Sequence, residues 1–365
     1  MRPLLVDLEM QWRGGQNQVL LLLKGLRARG HQPELVAAKG SALEERARVC
    51  GVPVYSASRG LLRLPAARRI HTLVRSGRFD LIHVNESQAL TAAWLARTHR
   101  ALPLIISRRV GYPLGKSVVS RMRFQAARWI IANSQWVADQ VAGSGVSREK
   151  IKVVFEGVEI PQTPSAELRM QARARWGVMD NAPLLGCVAV LSPDKGQEML
   201  IRALPPLRKQ FPACRLLLAG DGPCRRDLHR LAEELGVEDA VIFAGFVKEI
   251  EMVYAALDIF LFPALFEGLG TSLLAAMSHG VPSIAFERCA FGEIIQHEKN
   301  GLLMKTAGHE GMQNAAARLL LEAEFAQKLG AAGRQRIEET FSTENMVRET
   351  IRVYSEAAPD RAQER

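Results

Sequence analysis

Short apolar runs alternate with longer stretches of helical periodicity along the whole chain. In the first 160 residues the runs that could form buried strands are residues 3–7, 34–38, 80–84, 102–107, 129–133 and 151–155. Strands that alternate with helices at this spacing form parallel sheets, because each crossover needs a helix-sized connection. The pattern therefore predicts an α/β fold.

The alternation stops near residues 161–167, which read Pro-Gln-Thr-Pro-Ser-Ala-Glu, and then begins again. The second series of apolar runs comprises residues 184–191, 215–219, 241–244, 259–262 and 283–286. We therefore expect an N-terminal domain over residues 1–162 and a second domain over 163–342. The final segment, 343–365, has Met346, Ile351 and Tyr354 at helical spacing, which predicts a last helix followed by a frayed tail. This helix packs either on the first domain or on the second domain, which directly precedes it in the chain.

Size and composition are those of an ordinary globular protein with two domains, since the chain has 365 residues, of which 48% are apolar and 24% charged. No apolar run approaches the roughly 18 residues of a membrane-spanning helix. The N-terminus leads directly into the first strand, without a charged segment and cleavage site, which predicts a cytoplasmic protein. The five cysteines are scattered and are expected to be reduced core thiols.

The net charge of +10 is unevenly distributed. Residues 1–160 carry 25 basic and 11 acidic residues, a net charge of +14, whereas residues 161–365 have a net charge of −4. Many of the basic residues are arginines between positions 59 and 128. They form either solvated helix faces or a surface that attracts an anionic membrane or substrate. A nucleic-acid partner is disfavoured, because the chain has no recognised nucleic-acid-binding module.

The segment from Phe266 to Pro282 carries the clearest chemical signal. A strand runs into Glu267, then into Gly268, Leu269 and Gly270, and Thr271 and Ser272 begin a helical pattern. Glycines let the backbone approach a ligand, and the free amides of a first helical turn bind anions. A carboxylate beside them suits the hydroxyls of the same ligand. A phosphate joined to a sugar meets both requirements.

These residues resemble the retaining GT-B glycosyltransferases of family 4, whose signature is a Glu, seven residues and a second Glu. The first is Glu267, and Ala275 stands where the second usually holds the ribose. The resemblance implies two Rossmann-like, doubly wound domains that face a central cleft, where ligands of such folds bind. It covers most of the chain and is strongest over residues 184–304.

A second part of the resemblance follows the first strand of the second domain. The family pattern is Gly-Arg-Leu, a few residues and Lys-Gly; here Ala189 and Val190 replace Gly and Arg, and Lys195 remains. Lys195 is predicted to bind the diphosphate. Arg108 and Arg109 could supply the missing positive charge, or could be structural arginines that pair with acidic neighbours.

The N-terminal domain offers further candidates after its strands. Gly14 and Gly15 open a helix after the first strand, and they suit close approach to phosphate or acceptor. His83 is either a catalytic residue or a satisfied core histidine, and Asn85 with Glu86 could contact acceptor hydroxyls. In the second domain, Phe246 either contacts the nucleotide base or packs in the core.

The resemblance implies transfer of a hexosyl unit from a nucleotide sugar to a hydroxyl, with retention of the anomeric configuration. We expect Glu267, Arg109 and His83 in catalysis, a donor site of Gly15, Lys195, Phe246 and residues 267–272, and an acceptor side of Gly14, Asn85 and Arg108. The favoured donor is a UDP-sugar. No metal is expected, because the chain has no Asp-x-Asp.

The charge of the first 160 residues favours an anionic acceptor. It is expected to be lipopolysaccharide core or a lipid-linked glycan, reached by peripheral contact with the inner face of the inner membrane. Two alternatives stay open. A nucleotide-sugar 2-epimerase would share the architecture, and a nucleotide-sugar-binding protein without turnover would be consistent with the changes at Val190 and Ala275.

Overall fold

The computed structural model describes residues 1–58, 60, 63–115 and 117–359. The chain forms two compact units: unit 1 comprises Met1–Gly157 and the C-terminal residues from Thr343, and unit 2 comprises Val158–Ser342. The first change of unit comes at Gly157, where the sequence pattern placed it at residue 162. Residues 360–365, in the predicted frayed tail, lie outside the described residues.

Unit 1 contains a seven-stranded parallel sheet with helices between its strands. Its elements are β1 (Pro3–Asp7), α1 (Gly14–Ala28), β2 (Glu34–Ala38), α2 (Ala42–Val49), β3 (Val54–Ala57), α3 (Leu64–Arg75), β4 (Leu81–Val84), α4 (Ser87–Leu95), β5 (Leu104–Arg108), α5 (Val118–Gln125), β6 (Trp129–Ala132), α6 (Gln135–Gly143) and β7 (Ile151–Val153). The strand order is β3-β2-β1-β4-β5-β6-β7. Because β1 has β2 on one side and β4 on the other, the sheet is doubly wound about β1.

Unit 2 repeats this architecture with a six-stranded parallel sheet of order β10-β9-β8-β11-β12-β13. Its elements are α7 (Ala166–Arg175), β8 (Leu184–Val188), α8 (Gln197–Gln210), β9 (Arg215–Ala219), α9 (Arg225–Glu234), β10 (Val241–Gly245), α10 (Ile250–Ala256), β11 (Ile259–Phe262), α11 (Thr271–Ser278), β12 (Ser283–Phe286), α12 (Phe291–Ile294), β13 (Leu302–Met304), α13 (His309–Leu321) and α14 (Ala323–Thr340). The sheet reverses its winding direction between β8 and β11.

A buried arginine ties together three parts of unit 2. Arg173 on α7 is 1% exposed and donates hydrogen bonds to the backbone oxygens of Ala256 at 2.9 Å, Met179 at 2.8 Å and Ala182. It also forms an ion pair with Asp258 at 3.3 Å. A buried charge is tolerated when it is paired and hydrogen-bonded, as the two terminal nitrogens of Arg173 are. Arg173 therefore fixes α7 against the start of β8 and the turn before β11.

The last helix, α15 (Thr343–Ala357), packs in unit 1 against α1. The approach is close at Gly25, where a Cβ would lie 2.3 Å from Val347 Cγ2. Tyr354 inserts into the core and is within 2.6 Å of His83 Nδ1. Among the described residues, no helix is long and apolar enough to cross a membrane. All five cysteines are free thiols.

Candidate active site

The reversal point of the unit 2 sheet brings together most of the residues predicted for the donor. In doubly wound sheets a crevice opens where neighbouring strands lead to opposite faces, at the carboxyl ends of the strands. Here the neighbouring strands are β8 and β11. The segment after β8 carries Lys195, and the loop after β11 carries Glu267 and Gly268.

Lys195 and Glu267 form an ion pair at this point, with 2.5 Å between Nζ and Oε2. Asp194 lies 3.2 Å from the same ammonium group, and Ser192 Oγ donates to Asp194 at 2.6 Å. Burial lowers the pKa of Lys195, but the two carboxylates outweigh it, so the pKa is raised from its ordinary value. Lys195 is therefore a fixed positive charge. Asp194 was not among the predicted site residues.

Glycine at position 196 permits this arrangement. Gly196 has φ of +70°, and a Cβ there would lie 2.4 Å from the backbone oxygen of Pro263. The backbone amide of Leu265 donates to the oxygen of Asp194 at 2.8 Å. The segment after β8 and the loop after β11 are thus in direct backbone contact, which fixes Lys195 relative to Glu267.

The loop after Glu267 leads into α11 with its backbone turned by a glycine. Gly270, the residue before the helix, has φ of +101°, a conformation that favours glycine. Leu269 is buried, as are Gly268 and Gly270 on either side of it. Thr271 and Ser272 form the first turn of α11 and are half-buried. Their amides have no acceptor within the helix, which is the geometry of an anion site.

Two positions where this chain departs from the family pattern lie near this loop. Ala275 is half-buried on α11, one helical turn after Thr271. Val190 follows β8 and is 50% exposed. Neither side chain can accept or donate a hydrogen bond. Phe246, which was predicted either to contact the base or to pack in the core, directly follows β10. It is 70% exposed, so it does not pack in the core.

The carboxyl ends of the unit 1 strands carry a second group of polar residues, centred on Arg109. Arg109 donates to the backbone oxygen of Asn85 at 3.0 Å and to its Oδ1 at 3.2 Å, and it pairs with Glu156 at 3.0 Å. A Cβ on Gly15, at the start of α1, would lie 3.9 Å from Arg109 Cδ. This is the pairing with an acidic neighbour that the alternative interpretation of Arg109 describes. Glu156 was not predicted.

The remaining unit 1 candidates differ in accessibility. Gly14 is exposed at the first position of α1. Arg108 is half-buried and donates to the backbone oxygen of Tyr112, and burial lowers its pKa. Glu86 caps α4 by accepting from the amides of Gln88 and Ala89. Burial raises its pKa to about 7, although these amides act in the opposite direction.

His83 does not have the environment of a proton carrier. It is 1% exposed, and its two ring nitrogens lie 2.6 Å from Tyr354 Oη and 2.8 Å from Ser107 Oγ. Burial lowers its pKa to about 3, so the ring is neutral at physiological pH. A catalytic role needs an accessible nitrogen. The burial and hydrogen bonds of His83 therefore favour the alternative of a satisfied core histidine over a catalytic role.

Comparison with known proteins decides the family. The model of glycosyl transferases group 1 matches residues 169–336, and that of Glycosyltransferase Family 4 matches residues 12–161. The chain belongs to glycosyltransferase family 4.

Among the described residues, no three His, Cys, Asp or Glu side chains are grouped as metal ligands.

Two curated relatives and one solved structure illustrate the similarity. The Mycobacterium tuberculosis GDP-mannose-dependent alpha-(1-6)-phosphatidylinositol monomannoside mannosyltransferase is 30% identical over 67% of this chain and 66% of its own length. The lipopolysaccharide core biosynthesis glycosyltransferase LpsE of Rhizobium meliloti is 26% identical over 71% of this chain and 73% of its own. Anabaena Alr3699/HepE in complex with UDP-glucose superposes with a TM-score of 0.84, at 23% identity, over 98% of this chain and 100% of its own. The fold is thus GT-B, with two Rossmann-like units, as predicted.

Proposed function

We propose that this protein is a retaining hexosyltransferase that moves a sugar from a nucleotide donor to a hydroxyl of a cell-envelope glycan or glycolipid. The observation that carries the proposal is the Lys195–Glu267 pair beside the start of α11. It places one cation, one carboxylate and a set of helix-start amides at the reversal point of a doubly wound sheet. A sugar linked to a diphosphate presents hydroxyls and negative charge in the same molecule.

Each group then has a role in the transfer. Lys195 and the amides of residues 269–272 bind the diphosphate and stabilise the charge that develops as it leaves. Glu267 accepts hydrogen bonds from hydroxyls of the transferred sugar and positions its anomeric carbon. The departing diphosphate takes the proton of the acceptor hydroxyl on the face from which it leaves, so the anomeric configuration is retained. No protein base and no metal ion enter this scheme.

The unit 1 residues are assigned to the acceptor and to the donor phosphate. Gly14, Asn85 and Arg108 lie at the carboxyl ends of the strands and are proposed to face the acceptor. Gly15 is proposed to add a donor contact, and Arg109, which the sequence predicts to be catalytic, is proposed to act beside the donor phosphate. The ion pair of Arg109 with Glu156 offsets its charge, so we expect its main effect to be positional.

Two nucleosides are candidates for the donor. The sequence interpretation favours UDP, and the Anabaena protein is solved with UDP-glucose. The mycobacterial relative is named for GDP-mannose. Its name and that of LpsE also support acceptors that are a phosphatidylinositol glycolipid or a lipopolysaccharide core.

We further propose that unit 1 binds the cytoplasmic face of the inner membrane through α5. Val118, Val119 and Met122 on this helix are 72%, 51% and 49% exposed, and Arg121 is exposed beside them. Exposed apolar side chains next to arginines are typical of helices that lie on anionic membranes. Co-sedimentation with phosphatidylglycerol vesicles tests this. The double variant V118S/M122S is expected to release the protein, whereas M170S, at a 54% exposed position of unit 2, should not.

The function itself is tested with purified protein and a panel of UDP-, GDP- and ADP-hexoses. Calorimetry measures nucleotide binding, and mass spectrometry detects the product formed on lipopolysaccharide core or lipid-linked acceptors. We expect Lys195→Ala to weaken nucleoside diphosphate binding by more than about tenfold, the loss of one charge-assisted hydrogen bond. Lys209→Ala, at an exposed position of α8, is the control.

The other outcomes identify other functions. Conversion of the donor sugar without an acceptor would indicate an epimerase, and binding without product on any acceptor would indicate a binding protein. NMR of the product reports its anomeric configuration, and inversion would contradict the retaining mechanism. Loss of activity in EDTA would contradict a metal-free transfer.

A further inference from the structure

The carboxyl ends of β9 and β10 present an exposed aromatic ring and a loosely held arginine. Phe246 follows β10 and exposes 70% of its surface, although it lies only one residue beyond the strand. Gly245 before it has φ of +66°. The backbone amide of Gly220, which follows β9, donates to the backbone oxygen of Gly245 at 2.8 Å. The backbone that carries Phe246 is therefore fixed to the end of β9.

Arg225, the first residue of α9, lies beside this ring-bearing backbone. A Cβ on Gly245 would be 3.7 Å from Arg225 Nη1, so the guanidinium packs next to the residue that precedes Phe246. Its Cζ is 6.0 Å from the centre of the Phe243 ring. The other face of Phe243 is not available to a ligand in the same way, because His229 stacks on that ring at 3.7 Å. Phe246 is thus the accessible aromatic surface.

The guanidinium of Arg225 is weakly engaged by the protein. Its nearest carboxylate oxygen, on Asp221, is 3.8 Å away, and both side chains are substantially exposed. Within the described residues it makes no side-chain hydrogen bond. Arg173 and Arg109, in contrast, are held by several acceptors each. Arg225 retains most of its donors for a ligand.

The backbone that carries Arg225 is rigidly placed next to the segment after β8. A Cβ on Gly220 would lie 1.9 Å from the oxygen of Ala189, and the amide of Cys224 donates to the oxygen of Leu191 at 3.0 Å. The turn before α9 therefore packs directly on the segment that contains Val190. Arg225 consequently lies at the carboxyl ends of the strands of the same sheet as Lys195 does, but nearer to β10.

We propose that Arg225 and Phe246 bind the nucleobase of the donor and select guanine. The proposal rests on the proposed function, because it concerns the donor of that transferase. Every base has a π-face that can stack on Phe246, so stacking alone does not discriminate. The fork of an arginine matches two neighbouring acceptors, and guanine presents O6 and N7 in this way. Uracil offers only O4 on the corresponding edge, so it accepts one bond at most.

The position of Arg225, nearer to β10 than Lys195 is, distinguishes contact with the base from a second contact with the diphosphate. Lys195 lies at the reversal point between β8 and β11, whereas the Arg225 guanidinium lies over the ends of β9 and β10. An arginine that bound the diphosphate would strengthen the binding of all nucleoside diphosphates alike. An arginine that reads guanine strengthens GDP selectively. The two roles therefore differ in a measurable way.

Calorimetry with GDP and UDP tests the assignment on the full chain. The wild type is expected to bind GDP at least about tenfold more tightly than UDP, the effect of one bidentate base contact. Arg225→Ala should lower the affinity for GDP by about tenfold or more and leave the affinity for UDP within about twofold of the wild-type value. Arg225→Lys, which cannot form the fork, should lose most of the same selectivity. Arg226→Ala, at the adjacent exposed position, is the matched control.

Phe246→Ala should weaken both nucleotides, because it removes stacking. Lys195→Ala, measured in parallel, should weaken both as well, and this result supports the donor site independently of Arg225. Equal losses of GDP and UDP in Arg225→Ala, an unchanged GDP affinity, or a wild-type preference for UDP would each overturn the guanine assignment while the transferase stands. Failure of the wild type to bind GDP would overturn the guanine assignment, and failure to bind any of the UDP, GDP and ADP donors would overturn both proposals.

Discussion

Neutralising Glu267 should separate sugar transfer from nucleotide binding. In Glu267→Gln the side chain keeps its shape and can still accept hydrogen bonds through its one carbonyl oxygen, but it loses its charge. The carboxylate now pairs with Lys195 at 2.5 Å and would also repel the diphosphate of a bound donor. Both effects oppose binding of the anion. We therefore expect the variant to bind nucleoside diphosphate more tightly than the wild type.

The size of this gain follows from the exposure of the pair. The side chains of Lys195 and Glu267 are 18% and 29% exposed, between a surface pair, worth up to about 1 kcal/mol, and a buried pair, whose disruption costs about 3–5 kcal/mol. Lys195 also keeps Asp194 at 3.2 Å, which retains part of the attraction. An intermediate gain of about 1 to 1.5 kcal/mol corresponds to roughly five- to tenfold in affinity.

Sugar transfer should change in the opposite direction. If Glu267 positions the sugar through hydrogen bonds that its charge strengthens, its neutralisation should lower kcat by about a hundredfold or more. The assay compares Kd for the diphosphate by calorimetry with kcat for transfer. Weaker nucleotide binding in Glu267→Gln would mean that the carboxylate supports the loop itself, and unchanged transfer would remove Glu267 from catalysis. Thermal unfolding of the variant controls for loss of fold.

Three further changes test how the structure supports the site. Arg173→Met should lower the free energy of unfolding by about 3–5 kcal/mol, measured in urea, because it leaves several buried oxygens without donors. Gly196→Ala should weaken nucleotide binding and destabilise more than Gly236→Ala; both glycines have positive φ, but only at Gly196 would the Cβ meet backbone within 4 Å. Raising the pKa of Glu86 from 4.5 to about 7 favours the protonated fold, so stability should decline between about pH 4.5 and 7, by at most about 3 kcal/mol. Glu86→Gln should flatten that decline in pH-dependent unfolding, whereas Glu45→Gln, at an exposed position of α2, should not.

The strands of both sheets were largely predictable, because buried parallel strands are continuous apolar runs. The predicted limits of β1, β2, β9, β11 and β12 agree with the structure. The prediction missed β3 and β13, which are edge strands of four and three residues. Tyr55 and Ser56 interrupt the apolar character of β3, since one side of an edge strand faces solvent. Short, half-exposed strands lack the signal on which the prediction depends.

The candidate site was predictable as separate residues but not as contacts. Lys195 and Glu267 were each assigned to the donor from local pattern, yet nothing in their spacing of 72 residues indicates that they form an ion pair. Glu156 and Asp194 were missed for a related reason. An acidic residue after a strand is common, and only the three-dimensional structure shows which cation it contacts. The same applies to His83, whose partner Tyr354 lies 271 residues away.

The pairing of charges changes which residues can supply attraction for the donor. An arginine or lysine that is already matched by a carboxylate adds less to anion binding than its formal charge suggests, because binding must compete with the existing pair. Arg109 is matched by Glu156 and Lys195 by Glu267, while Val190 and Ala275 contribute no polar contact. The first-turn amides of α11 are not paired with a carboxylate in this way, and Arg225 is paired only loosely, with Asp221 at 3.8 Å. We therefore expect recognition of the donor in this chain to depend more on backbone amides and on the proposed base contacts of Arg225 and Phe246 than the family motif alone implies.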